Sequence, residues 1–274
     1  MWVCADPVCK RNVATGRDTC WQHEPNEVKL TVLFVRHAWS CTNLIADFGT
    51  IWHQWKRFLY LDPPLTDYSV QRMSDARADH GVKKRAKNID IVMCSTMMRA
   101  QQTALKLFPE SKRIYVMPYI KEVGWGSGNK IAKHISDQQT AHGSSALRLD
   151  YSLVTNPRTH DWTDAAHETH YHKFLGLLST IALQSKRRHL RVAVITHSHF
   201  MQRNIFHSVD KPMNVGMGVK KYVVQHNGIV EADDSPVVTS FARVSDGVPF
   251  IGIPIPKEVH SSDIESCKHR VGIK

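Results

Sequence analysis

The sequence predicts an α/β protein of three layers, α/β/α, around a mainly parallel central sheet. Three observations point there. Short β-rich apolar runs recur along the middle of the chain, helical patterns separate them, and most runs are apolar throughout rather than at alternate positions. Strands alternating with helices favour parallel pairing with helices on both faces. Continuous apolarity fits strands covered on both sides.

The runs are KLTVLFV (29–35), IDIVMCS (89–95), RIYVMP (113–118), LRVAVITH (190–197) and KYVVQH (221–226). Between them the pattern predicts helices over 67–80, 98–108, 167–186 and 199–209. Segment 124–166 is polar, with GWGSGN and HGSS. It is expected to be a long irregular insertion near the carboxyl edge of the sheet, where open α/β proteins keep their sites. Three zones result: a Cys-rich head (1–28), the α/β unit (29–245) and a tail (246–274). The tail opens on three prolines in GVPFIGIPIP. It is expected to be extended and frayed at its end. No internal repeat or low-complexity tract is present.

At 274 residues the chain suits one α/β domain plus an appendage. Hydrophobic residues make up 42%, enough for a full core and too many for wholesale disorder. The formal net charge of +11 favours anionic partners such as phosphorylated small molecules, phosphoproteins, nucleic acid or acidic membrane. Charge by itself is met more simply by a soluble basic surface. No apolar run approaches a membrane span, and the opening MWVCADPVCKRN lacks the apolar core of a signal peptide. Cytoplasm, or nucleus, is therefore the expected compartment. Six cysteines in a chain this long do not suggest a disulfide framework.

Two of the runs lead into histidine, LFVRH at His37 and AVITH at His197. If both strands are central and parallel, both imidazoles emerge on one edge of the sheet. After the strand at 89–95, STMMRAQQTA opens a helix with Arg99 in its first turn, where backbone N–H groups also favour an anion. Arg36, Arg99, His37 and His197 would then converge. Such a cluster suits a phosphoryl group, whose oxygens guanidiniums grip bidentately. Taken singly, each residue is an ordinary strand end or a solvated helix start; their joint occurrence, in order, outweighs that reading.

These residues carry a resemblance to the histidine phosphatase superfamily, the phosphoglycerate-mutase-like fold. The family's Arg-His-Gly, four residues, Asn reads RHAWSCTN (Arg36 to Asn43). Its Pro-Leu-Thr-x-x-Gly with a following Gln reads PLTDYSVQ (Pro64 to Gln71). Its Ser-x-Leu-x-Arg-Ala-x-Gln-Thr-Ala reads STMMRAQQTA (Ser95 to Ala104). Its glutamate before glycine reads YIKEVGWG, with Glu122, and its last motif reads THSHF, with His197. The resemblance spans residues 30 to 210. Ala38, Ser69 and Ser198 stand where the family has glycine, and Gln71 comes one position early. The residue after His197 is not the aspartate of the acid-phosphatase branch, which implies the mutase and small-phosphatase branch.

The resemblance implies a phosphatase for phosphate monoesters. His37 would form a covalent phosphohistidine. Arg36, Arg99 and His197 would hold the transferring charge, and Asn43 would donate to a phosphoryl oxygen. The surrounding positive charge also opposes protonation of His37. Glu122 would protonate the leaving oxygen and then deprotonate water or an acceptor. Without the family, Glu122 reads as a surface carboxylate beside Lys121. No cofactor is needed for this chemistry. A phosphoglycerate-mutase-type phosphotransferase ranks second, because no cationic grip for a carboxylate is identifiable. A catalytically weak phosphate-sensing interaction protein ranks third. The expected substrate is a phosphorylated small molecule or a phosphoprotein; neither nucleic acid nor membrane is the expected partner. His199, Gln202 and Arg203 follow on one helix start and read as ordinary surface residues. The His and Asp residues of 124–166 fit no metal spacing.

In the head, Cys4, Cys9, Cys20 and His23 have the donors for a tetrahedral zinc shell and resemble short zinc knuckles. So short a segment would take its stability from the metal and would serve to bind a protein partner or dock on the α/β unit. The competing reading is an arm with free thiols. Cys41, Cys94 and Cys267 read as buried or incidental thiols.

Overall fold

Val28–Arg36 forms β1, the strand from which the site is built. Leu33 and Val35 point into one core, while Val32 and Phe34 point into a second on the opposite face, and all four are buried. That is what continuous apolarity encodes: a strand covered on both sides. The computed structural model describes residues 27–48, 61–78, 83, 86–122, 133–154, 164–185, 187–207, 214–225, 228–231, 238–239 and 258–271. The head with Cys4, Cys9, Cys20 and His23 lies outside the described residues.

The elements after β1 are α1 (Cys41–Phe48), α2 (Asp67–Ala78), β2 (Ile91–Ser95), α3 (Met98–Leu107), β3 (Ile114–Met117), α4 (Ile135–His142) and β4 (Leu149–Asp150). Then come α5 (Asp164–Gln184), β5 (His189–Thr196), α6 (Ser198–Phe200, running into a π-helical turn Met201–Ile205), β6 (Met217–Gln225), β7 (Gly228–Glu231), β8 (Val238–Thr239) and α7 (Ser261–Arg270). The sheet order is β4-β3-β2-β5-β1-β6-β7, with β8 also paired to β6. The run from β4 to β1 is parallel; β6 pairs antiparallel with β1, β7 and β8. Helices α2 and α3 cover one face through Met73, Ala76, Ala100 and Ala104. Helix α5 covers the other with Phe174, Leu178 and Ala182, one stripe at a spacing of four. The three-layer expectation holds.

Gly218 of β6 lies opposite Phe34, and a Cβ there would come within 2.1 Å of the Phe206 ring. The absent side chain lets that ring close over the strand.

Three expectations change. Segment 124–166 is not irregular in its described part: 133–154 holds α4, a 3-10 turn (Gly143–Arg148) and β4 against β3. Two residues of strand are too few for any period to reveal. The tail is not simply extended, since 261–270 is helical. Asp263 in its first turn and Lys268, His269 and Arg270 in its last suit the helix dipole. Ile264, Cys267 and Val271 pack with Trp39, Leu44 and Ile45 in a third core.

Finally, Cys41 and Cys267 are not incidental thiols. They form a disulfide across a sequence separation of 226 residues, while Cys94 is a buried free thiol as expected. The bond pins α7 to the first residue of α1, four positions after His37. Arg270 Nη1 also donates to the Leu65 carbonyl at 3.2 Å, and Ser266 Oγ to Asp67 Oδ2 at 3.2 Å. Closing so long a loop is worth about 2–4 kcal/mol. At about 2–4 °C per kcal/mol for a chain of this size, Cys267→Ser should lower the melting temperature by about 4–16 °C. Reducing agent should do the same to the parent protein. A melting temperature unmoved by either would show that the sulfurs are not joined.

Candidate active site

Parallel pairing aligns Arg36 of β1 with Thr196 of β5, so the next residues, His37 and His197, leave the sheet side by side. Their ring centroids are 5.0 Å apart in an edge-to-face arrangement, and both rings are buried. The two imidazoles do emerge on one edge.

Hydrogen bonds fix the His37 tautomer. Nδ1 lies 2.7 Å from the carbonyl of Ala38, which can only accept, so Nδ1 carries the proton. Nε2 therefore holds a lone pair. Arg99 Nε donates to it at 3.2 Å. Burial first, then the charges of Arg99 and Arg36, push the His37 pKa well below its ordinary value. The ring is neutral at pH 7, with its unprotonated nitrogen facing the guanidinium cluster. Burial and the charges of Arg99, His37, Arg36 and Lys121 act on His197 in the same direction. His197 Nε2 lies 2.9 Å from Ser95 Oγ.

Arg99 is buried in the first turn of α3. Desolvation lowers its pKa, opposed by Glu122 and Asp62. Arg36 is shifted the same way by burial, with Glu122 opposing. Glu122 sits in the loop after β3, only 6% exposed. Its carboxylate and ring nitrogens of His37 and His197 all lie within 4.8 Å of one another. These three have donors for a metal ion. The same two guanidiniums that keep protons off both imidazoles would also repel a cation, so the pocket favours an anion.

The structure thus brings together Arg36, His37, Arg99, Glu122 and His197. Asn43 braces the adjoining loop. Its Oδ1 accepts from Ser40 N–H at 3.2 Å and from Ser40 Oγ at 2.8 Å, closing the chain after His37. Gln71 is exposed on α2 and takes no part. One departure from the motif glycines, Ser69, adds a side-chain bond, while the bond at Ala38 is made by its backbone. Ser69 Oγ donates to the Trp39 carbonyl at 2.8 Å, and Ala38 N–H donates to Thr103 Oγ1 at 3.0 Å. Thr103 in turn donates to the Arg99 carbonyl at 2.7 Å, tying the His37 loop to the helix bearing Arg99.

Sequence reasoning missed Asp62. It is fully buried, with φ at 46°, in the left-handed region that Asp tolerates better than most residues. Its Oδ1 accepts the N–H of Met98, first residue of α3, at 2.6 Å. Its Oδ2 accepts Lys133 N–H at 3.0 Å and Gln138 Nε2 at 2.7 Å. Burial raises its pKa against these hydrogen bonds. Gln138 Oε1 accepts from Gln101 Nε2 at 2.8 Å, and Gln101 Oε1 accepts from the Tyr151 hydroxyl at 2.9 Å. A buried polar network therefore clamps the 133–154 segment to the start of α3. The available signal was an aspartate directly before Pro63-Pro64-Leu65-Thr66. From sequence Lys121 reads only as a surface partner for Glu122. It is instead 0% exposed, and burial lowers its pKa to about 8, opposed by Asp62.

No family model matches the chain, and no curated protein does. Among solved structures the chain is similar to the ecdysone phosphate phosphatase of Bombix mori in complex with tungstate. That likeness has 14% identity and a TM-score of 0.47, covering 77% of this chain and 98% of that one. It is also similar to a mycobacterial glucosyl-3-phosphoglycerate phosphatase, at 13% identity and TM-score 0.45, over 76% of this chain and 97% of that one. A third is the phosphoserine phosphatase of Entamoeba histolytica with 3-phosphoglyceric acid, at 13% and 0.43, over 76% and 98%.

Proposed function

We propose that the chain is a phosphatase of the histidine phosphatase type, cleaving phosphate monoesters through a phosphohistidine on His37. The observation that carries the reading is the fixed tautomer of His37. Its Nδ1 is committed to the Ala38 carbonyl, and its Nε2 lone pair lies 3.2 Å from Arg99 Nε in a pocket that keeps the ring neutral.

A phosphoryl group displaces the Arg99–His37 contact and takes the guanidinium for itself. Nε2 attacks phosphorus, the bond to the ester oxygen breaks, and Glu122 delivers its proton to that oxygen. Water then attacks phosphorus, Glu122 takes back a proton, and the N–P bond breaks. Inorganic phosphate leaves and neutral His37 is restored. Arg36, Arg99 and His197 hold the charge in both steps, already oriented by the fold. Asn43 braces the loop and donates through its amide. The step uses no metal.

The catalytic unit is 29–245, acting on a phosphorylated small molecule or a phosphoprotein; 1–28 would be a zinc-bearing head for a protein partner. Purified protein should hydrolyse p-nitrophenyl phosphate without added metal. Glu122→Gln should slow alkyl phosphates on the order of 10²-fold or more and p-nitrophenyl phosphate far less, because a good leaving group needs no proton. Equal slowing of both would remove Glu122 as the acid. Tight phosphate binding without turnover would favour a sensor over an enzyme.

A further inference from the structure

A third imidazole stands beside the pocket on the acid's side. His199 begins two residues after His197, inside α6, where helix-start N–H groups lack intrahelical partners. Its backbone N–H donates to Glu122 Oε1 at 3.2 Å, and its ring Nδ1 lies 3.6 Å from the same oxygen. The His199 side chain is 34% exposed and the Glu122 side chain 8%. His199 is therefore the more exposed partner of a buried carboxyl. The other flank of Glu122 faces His37 and His197.

A carboxyl group at the end of a loop has three rotatable bonds and is costly to bury without donors. General acid catalysis requires it to meet one oxygen, the leaving oxygen, within hydrogen-bond reach. The His199 backbone N–H holds Oε1 by a hydrogen bond, and the ring Nδ1 stands against the same oxygen at 3.6 Å, an ion-pair distance just beyond hydrogen-bond length. The π-helical turn that follows, Met201–Ile205, widens the helix at this point, a feature frequent at functional sites.

We propose that His199 is a positioning residue for Glu122, holding its carboxyl toward the leaving group; this rests on the phosphatase reading above. Because Glu122 works on the leaving-group side, His199 lines that side too and helps to decide which esters are cleaved.

The test is a series of phosphate esters with leaving groups from alkyl alcohol to p-nitrophenol, measured on the full chain with His199→Ala and His199→Asn. The asparagine amide nitrogen falls near the position of Nδ1, so it can keep the contact. His199→Ala should lower kcat for alkyl phosphates about tenfold, part of what the acid itself supplies. It should lower kcat for p-nitrophenyl phosphate less than about threefold by the same reasoning, with KM little changed. His199→Asn should restore most of the alkyl activity. An equal loss across leaving groups, no loss at all, or an asparagine variant no better than alanine would overturn the inference. If the parent enzyme hydrolyses none of the esters, or His37→Ala hydrolyses them as well as the parent, the phosphatase reading itself fails, and the two failures are told apart.

Discussion

His37→Ala should lose phosphatase activity by about four orders of magnitude or more, the scale seen when a covalent nucleophile is removed. The fold should survive. The ring donates one hydrogen bond to the neighbouring Ala38 carbonyl and accepts one from Arg99 Nε, each worth about 1 kcal/mol. Its removal takes one acceptor from Arg99 Nε, which an oxygen of bound phosphate can replace. Circular dichroism and melting temperature should stay near the parent values, and the variant should still bind orthovanadate or phosphate through Arg36, Arg99 and His197. A folded variant that binds phosphate and does not turn over isolates the loss as chemical. Full activity in a folded variant would end the assignment of His37.

Arg99→Met should cost about 10²- to 10³-fold in kcat, the range for removing a preorganised charge-stabilising donor from an excluded site. It should also move the pH profile, and the sign follows from the pocket. The charge of Arg99 is the second cause, after burial, of the low His37 pKa. Without it the ring holds its proton more readily, so the folded His37 pKa rises toward the ordinary value. The active form is the neutral ring, and activity falls as pH drops through that pKa. The acid limb of kcat/KM should therefore shift to higher pH in Arg99→Met than in the parent. The substrate's own phosphate ionisation is common to both enzymes and drops out of the comparison. An acid limb that stays put, or moves down, would mean that His37 does not feel Arg99 as its contact geometry implies. Methionine keeps the buried volume apolar and removes a desolvated charge, so a collapse of the fold is not expected.

Much of this site is written in local sequence because strand ends advertise themselves. LFVRH and AVITH each place a costly basic or imidazole group where a buried run stops, and parallel pairing then does the convergence. Arg99 is legible for the same reason, at the junction of β2 and α3. What stays hidden depends on partners far away. Asp62 looks like a turn residue until Met98, Lys133 and Gln138 are placed around it. His199 looks exposed until Glu122 arrives from another loop. The orientation of β6 is not in its composition, since KYVVQH reads alike parallel or antiparallel. The Cys41–Cys267 bond joins residues with no spacing rule between them, and α7 is masked by the prolines that precede it.

The disulfide also bears on the compartment expected from sequence. Such bonds persist in oxidising surroundings and are rare in the cytosol. In a reducing compartment Cys41 and Cys267 would be thiols, and α7 would rest on Arg270, Ser266 and the small third core alone. No helix among the described residues is long and apolar enough to cross a membrane.

The most direct test of the central claim is to trap the covalent intermediate. Enzyme mixed with a labelled phosphate monoester, quenched in base within milliseconds and digested, should yield one phosphopeptide, VLFVRHAWS or a longer piece containing it. Its phosphate should sit on His37 Nε2, stable to alkali and lost in acid. A phosphate that resists acid, or that maps to His197, Ser95 or any residue other than 37, would contradict the account.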